Sequence, residues 1–226
     1  MAVISYRQAL HDTLRAELQR DSSVFPICEE GFTGLAIGAA MMGLRPVVEI
    51  MTINFSLLAI DQIVSNAAKL RSLSGGQVGV PLVIRTPGGG GQQLSATHSQ
   101  NIEVWYAHVP GLKVLAPATC ADAKGLLTAA IRDDDPVLVL ENLALYNTRG
   151  EVPDGEHVAE IGRAAVLKPG RDITLIGYSR AAVIALDVAR RLEDDGISAE
   201  VIDLRSLRPL DRDTVCASVR ETVGQA

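Results

Sequence analysis

The first place in this sequence where chemistry could be done is a carboxylate just ahead of a run of small residues. Glu29 stands in Pro26-Ile27-Cys28-Glu29-Glu30-Gly31-Phe32-Thr33-Gly34, where it can hydrogen-bond a ring nitrogen of a bound molecule. It can equally serve only as the negative charge that a helix dipole favours at its N-terminus. His98 lies in the polar loop Leu94-Ser95-Ala96-Thr97-His98-Ser99-Gln100; a lone loop histidine is ordinarily just solvated, although its titration range suits proton transfer. Gly88 to Gly91 would let backbone amides approach an anion. Neither Gly-x-x-x-x-Gly-Lys-[Ser/Thr] nor Gly-x-Gly-x-x-Gly occurs, so that phosphate-cradle signal is weak. Cys28, Cys120 and Cys216 are odd in number, far apart and in no Cys-x-x-Cys arrangement, which suggests neither a disulfide framework nor a zinc site and points to a reducing compartment.

The elements that must position these groups read as strands alternating with helices. Short apolar runs at 47–50, 81–84, 112–115 and 137–140 are separated by helical patterns near 55–72, 99–108 and 120–132. Continuous apolar strands with crossover helices predict a doubly wound parallel sheet covered on both faces, an α/β domain over residues 1–150. Ahead of it, Ala9, Leu10, Leu14 and Leu18 share one face of a first helix. The stretch 31–44 is too short and ends too early, at Arg45, to cross a membrane, and reads as a buried helix. Residues 151–170 carry Gly, Pro, His and charges and read as a linker. The pattern then restarts with a strand at 173–178, an amphipathic helix at 180–194, a strand at 199–204 and a helix at 211–219. One and a half repeats make a poor core, so 171–226 is expected to be the first part of a larger second α/β domain.

Composition bounds the function without choosing it. The 226 residues are 47% hydrophobic and 21% charged, enough to bury a sizeable core. A net charge of -6 without a Lys/Arg run argues against nucleic acid or an anionic membrane as the main partner. The N-terminal residues lack both a basic-then-apolar signal pattern and an Arg-rich transit pattern, so a cytoplasmic location is expected.

Several motifs recur in one order: Glu-Ile-Met-Thr-Ile-Asn-Phe-Ser at 49–56, Asp61-Gln62-Ile63, Arg85-Thr86-Pro87-Gly88-Gly89-Gly90-Gly91, Thr97-His98-Ser99-Gln100, His108-Val109-Pro110-Gly111-Leu112-Lys113-Val114 and Ala130-Ile131-Arg132-Asp133-Asp134-Asp135-Pro136. In these the chain resembles the beta subunit of the thiamine-diphosphate-dependent E1 component of 2-oxo acid dehydrogenase complexes, the pyruvate dehydrogenase type in particular. The resemblance implies a transketolase-like pyrimidine-binding domain. Glu29 would then hydrogen-bond the pyrimidine ring nitrogen and favour its imino tautomer. Met51 and Phe55 would fill and stack against that ring, and His98 would donate a proton to the 2-oxo acid or to what remains after carbon dioxide leaves. It further implies a potassium ion at Leu82, Ala130, Ile131, Asp133 and Asp135, although Asp133-Asp134-Asp135-Pro136 would form a polar turn anyway. His108 is read as structural, and His11 and His157 as surface residues.

No Gly-Asp-Gly motif with a downstream Asn is present to hold magnesium and a diphosphate. The resemblance therefore places the diphosphate and Mg2+ on an E1 alpha subunit, in an alpha2-beta2 heterotetramer that passes the acetyl unit of pyruvate to a lipoyl-bearing E2 acyltransferase. Acetoin dehydrogenase is the nearest enzymatic alternative, and a noncatalytic assembly fragment the alternative of another class. The second rests on a departure from the family: Val24-Phe25 runs straight into Pro26-Ile27-Cys28-Glu29, so the family's first core strand and glycine-rich loop are missing or drastically shortened.

Overall fold

Residues 1–28, 32–89 and 94–223 are described in the computed structural model, with Ile27, Cys28 and Val223 described by their backbone alone. In chain order they form β1 (Ala2–Ser5), α1 (Tyr6–Arg20), β2 (Val24–Cys28), α2 (Thr33–Met41) and β3 (Arg45–Glu49). A 3-10 segment (Ile53–Ala59) and a π-helical segment (Gln62–Ala67) then lead into α3 (Ala68–Leu73). There follow β4 (Val83–Gly88), α4 (Glu103–Ala107), β5 (Lys113–Leu115), α5 (Cys120–Arg132), β6 (Val137–Asn142) and β7 (Arg149–Val152). The C-terminal part holds β8 (Ala165–Lys168), β9 (Ile173–Gly177), α6 (Arg180–Asp194), β10 (Ala199–Asp203), β11 (Ser206–Arg208) and α7 (Arg212–Val223).

The main sheet has the order β11-β5-β6-β4-β3-β2, parallel throughout except for β11. Alternate residues of its strands feed two separate cores. Val48, Ile84, Leu138 and Val114 face α2, α3 and α4, while Val24, Val47, Val83, Val139 and Leu115 face α1 and α5. Burial on both faces is why these strands carry unbroken apolar runs. The second unit is the small sheet β8-β10-β9 with a core of Ala189, Ala199 and Val201 flanked by Leu167, Leu175 and Leu186. That sheet starts at Ala165, inside the stretch read as a linker. The two units are stitched together: β11 leaves the second and adds an antiparallel edge to the first, with Ser206 opposite Leu115.

Three local expectations change. In α1 the buried face is Tyr6, Ala9, Leu10, Thr13 and Glu17, whereas Leu18 is exposed. Glu17 can be buried because Arg132 reaches it from α5 at 2.8 Å and Arg20 from its own helix at 2.9 Å. The helix α2 is only half buried: Ala36, Ile37 and Ala40 face the core, but Leu35 and Met41 are 64% and 45% exposed. His157 is not a plain surface residue; it is half-buried against Gly125, and burial lowers its pKa.

Candidate functional site

Because β2, β3, β4 and β6 are parallel, their carboxyl ends share one edge, where open α/β sheets bind ligands. Register sets Cys28 beside Glu49, Glu49 beside Arg85, and Gly88 beside Asn142. The chain leaves β3 there and turns through Met51 and Thr52 into the 3-10 segment carrying Phe55. That segment is anchored from below: Ser56 Oγ donates to the Ile53 carbonyl at 2.5 Å and shares a 2.6 Å hydrogen bond with the buried Tyr106 hydroxyl of α4.

Three of the sequence-derived site residues therefore meet at this edge. Met51 is 71% exposed although apolar, and Phe55 is only partly buried. The ring of His98 stands edge-on to Phe55, with centroids 5.1 Å apart at 88°. Thr97 Oγ1 lies 3.0 Å from His98 Nδ1, which leaves Nε2 as the nitrogen open to a ligand. An exposed thioether in the turn after β3, with a part-buried phenyl ring beside an imidazole, suits a heteroaromatic ring that packs on apolar side chains and accepts or donates a proton at its rim. The buried Asn54 has no partner for its Nδ2 among the described residues. Glu29 lies outside the described residues, as do Gly90 and Gly91; Cys28, the residue before Glu29, ends β2 at this same edge.

The edge is braced by an ionic network that the sequence reading did not single out. Arg85 donates to Glu141 through Nε at 2.7 Å and Nη2 at 2.9 Å, and through Nη1 to Glu49 at 3.1 Å. The Tyr146 hydroxyl donates to the same Glu141 at 2.6 Å. Glu141 is fully buried. Burial alone would lower the pKa of Arg85, but the Glu141 carboxylate outweighs it and raises it; burial, then Glu141, push the Tyr146 phenol up. This network locks three neighbouring strand ends just below Met51. Arg85 sat in a recognised motif, but its partners are 36 and 56 residues away, a separation that no local pattern reports.

The five residues proposed for potassium cluster at the opposite, amino edge around the α5–β6 turn. Arg45 Nη1 donates to the Ile131 and Asp133 carbonyls at 3.2 and 2.9 Å. Lys113 bonds the Asp133 carboxylate at 2.7 Å and Asp135 at 3.2 Å, and Arg71 bonds Asp135 at 2.5 Å. The Leu82 carbonyl accepts the Val137 amide and the Ala130 carbonyl the Asp133 amide. The donors are oxygens, the type a hard cation takes, but side-chain cations already neutralise the carboxylates and share two of the carbonyls. Among the described residues no cluster of His, Cys, Asp and Glu suits a metal. No helix there is long and apolar enough to cross a membrane.

The chain matches known families along most of its length. The transketolase pyrimidine binding domain model matches residues 23–148 and the transketolase C-terminal domain model residues 162–223. The pyruvate dehydrogenase E1 component subunit beta-2, mitochondrial, of Oryza sativa is 46% identical over 254 residues, covering 97% of this chain and 68% of that protein. The corresponding subunit beta-1 of Arabidopsis thaliana is 52% identical over 201 residues, covering 87% and 55%. The subunit beta of Rickettsia felis is 43% identical over 250 residues, covering 97% and 77%. The chain thus spans between about half and three quarters of the length of these relatives. Alignments of 254 and 250 residues exceed the 226 of this chain, so the relatives carry residues inside the matched span that it lacks. A split gene transketolase, described as an inactive beta4 tetramer, superposes with a TM-score of 0.81 at 23% identity, over 97% of this chain and 76% of the other, and supports the fold. The chain belongs to the transketolase-like family of pyruvate dehydrogenase E1 beta subunits.

Proposed function

We propose that this chain is the beta subunit of a thiamine-diphosphate-dependent pyruvate dehydrogenase E1, acting with an alpha subunit to decarboxylate pyruvate and hand the acetyl unit to a lipoyl group on an E2 acyltransferase. The observation that carries the reading is identity of 42–52% to pyruvate dehydrogenase E1 beta subunits over most of the chain. The open Met51–Phe55–His98 edge supplies the matching chemistry. Bound there, the cofactor would supply a thiazolium carbon that attacks the 2-oxo group and holds the electrons released with carbon dioxide. Met51 and Phe55 would orient the pyrimidine and exclude water from it. Glu29 would keep a carboxyl hydrogen bond on the pyrimidine ring nitrogen, strengthened by low polarity around it. His98, through Nε2, would donate a proton on the substrate side.

With no diphosphate motif in the chain, Mg2+ and the diphosphate fall to the alpha subunit in an alpha2-beta2 assembly. Exposed Leu35, Met42, Leu58, Val104 and Trp105 give such a subunit apolar surface to cover. A potassium ion at the 130–135 turn would share the Ile131 and Asp133 carbonyls with Arg45. A cytoplasmic site of action belongs to this proposal as well.

The test is pyruvate decarboxylation with an artificial electron acceptor, using the chain co-purified with its alpha partner beside a Glu29→Gln variant. Activity in the first and its loss in the second, with the complex intact, is expected. Equal activity in both removes Glu29 from the mechanism, and an intact but inactive complex in both makes the chain an assembly module. A strong preference for acetoin over pyruvate would reassign the substrate.

A further inference from the structure

Six buried side-chain polar atoms lack a partner among the described residues, and five of them belong to Glu103, Asp122, Ser179, Asp203 and Arg205, on the seam between the main sheet and the C-terminal unit. Buried polar groups are nearly always satisfied, so such a concentration calls for an explanation. The seam is held by backbone bonds around one residue: the Ala116 amide donates to the Arg205 carbonyl at 2.8 Å, and the Ser179 amide donates to the Ala116 carbonyl at 3.2 Å. Arg205 sits in this junction with φ 56°, a left-handed conformation that a side-chain-bearing residue holds only when its surroundings fix it.

We propose that Asp203, Arg205 and Asp122 form a proton-sensitive clasp that seats the C-terminal unit on the main sheet in acid and loosens as the pH rises to neutrality. Asp203, at the end of β10, is fully buried. Its Oδ1 accepts the Arg205 amide at 3.1 Å, and its Oδ2 has no donor. Across the seam, Asp122 is 1% exposed and caps α5 with Thr119, whose hydroxyl donates to Oδ2 at 2.7 Å. Arg205 Nη2 lies 2.7 Å from Asp122 Oδ1, an ionic contact without hydrogen-bond alignment, and its Nε is unpartnered. Among the described residues the Arg205 guanidinium contacts Asp122, while Asp203 receives the Arg205 backbone amide and no cationic side chain. With both ionised, a negative charge remains uncompensated in a dry site, a costly state that a proton on Asp203 removes. His157 of the connecting segment feels the charges of Asp122, Lys124 and Arg205, and the buried Tyr6 phenol feels that of Asp122; the charges that act on Asp203 itself are those of Asp122 and Arg205.

Burial, with the Asp122 charge adding to it, pushes Asp203 up to about 7 from 3.8, against the Arg205 amide bond that lowers it. The folded state therefore binds this proton more tightly than the unfolded chain by about three powers of ten. Since the raised pKa belongs to the folded state, its stability falls as pH rises from about 4 through about 7, and the loss is complete above that.

The experiment is thermal unfolding of the full chain and of Asp203→Asn from pH 5 to 8.5, with amide hydrogen exchange read at Ala116 and Ser179. The melting temperature of the variant relative to the parent should climb by several degrees between pH 5 and 8. Exchange at the two amides in the parent should accelerate beyond its intrinsic rise, and in the variant should not. A pH-independent difference in melting temperature, with exchange following intrinsic rates in both, overturns the clasp. Should Asp203→Asn fail to fold, Asp122→Asn removes the neighbouring charge and must move the parent's stability step to lower pH; an unmoved step overturns the clasp equally.

Discussion

Replacing Glu141 by Gln should destabilise the chain by about 3–5 kcal/mol, the range for breaking a buried ion pair from one side. The size follows from what is left behind. Arg85 is 14% exposed at its side chain and loses two charge-assisted bonds of 2.7 and 2.9 Å, keeping only the 3.1 Å contact to Glu49. Glu49 is 48% exposed, so that remaining pair contributes no more than about 1 kcal/mol. The glutamine also turns an NH2 toward a guanidinium or toward the Tyr146 hydroxyl. Urea unfolding of the parent, Glu141→Gln, Glu141→Leu, Arg85→Met and the Glu141→Leu/Arg85→Met pair gives the coupling directly. The double variant should recover most of the loss, because a buried pair exchanged for apolar side chains of similar volume is near neutral. Should Glu141→Gln stay within about 1 kcal/mol of the parent, or the double variant fall as far as the two singles combined, the brace beneath Met51 is not what holds these strand ends.

Two smaller perturbations test the packing around the sheet. Glu17 is nearly buried between Arg20 and Arg132, and although burial opposes it, these partners depress its pKa below 4.5. Its contribution is thus present above about 4.5 and lost as pH falls through the folded value, so the stability gap between the parent and Glu17→Gln, measured by urea unfolding, should narrow below that pH. Gly111 has φ +91° and faces the Ala68 carbonyl oxygen at a distance no Cβ could share. Gly111→Ala should lower stability by at least about 1–3 kcal/mol from the left-handed backbone alone, which the same unfolding assay measures.

What was legible in the sequence followed local periodicity, and what was missed depended on distant partners. The patterns at 120–132 and 180–194 became α5 and α6 with those very bounds, since each carries an apolar stripe that a core can use without further information. The strand β1 escaped because its partner β7 is some 150 residues away, Ala2 pairing with Val152. β11 escaped for a similar reason: three residues of the C-terminal unit pair outside their own sheet. The helical pattern over 55–72 is real but is wound as 3-10, then π, then α. Tethering of Ser56 to Tyr106 is a tertiary constraint of the kind that leads a helix to change its winding near a site. In the candidate site, Met51, Phe55 and His98 came from motif order, and their convergence is geometric. The Arg85–Glu141 brace and the buried seam charges needed the fold.

Whether the site can work depends on where β2 ends, and register shows what sets that end. Val24 to Cys28 make five successive pairs with β3, from Val24 opposite Arg45 to Cys28 opposite Glu49. One strand therefore does the work of entering from α1 and of reaching the carboxyl edge level with the turn to Met51. What positions the following residues is where β2 ends, and that is fixed by Val24, which is buried against the α1 core. Inserting one glycine between Phe25 and Pro26 would either expose Val24 or turn Pro26 to Cys28 onto opposite faces, because side chains alternate every residue. Inserting two would restore the faces but overshoot the edge by about 7 Å. Both variants, bound to the alpha partner, should lose pyruvate decarboxylation, the first with a clear drop in melting temperature and the second with a smaller one. Full activity in either would mean that the edge is not set by β2, and that the partner subunit holds this segment in place.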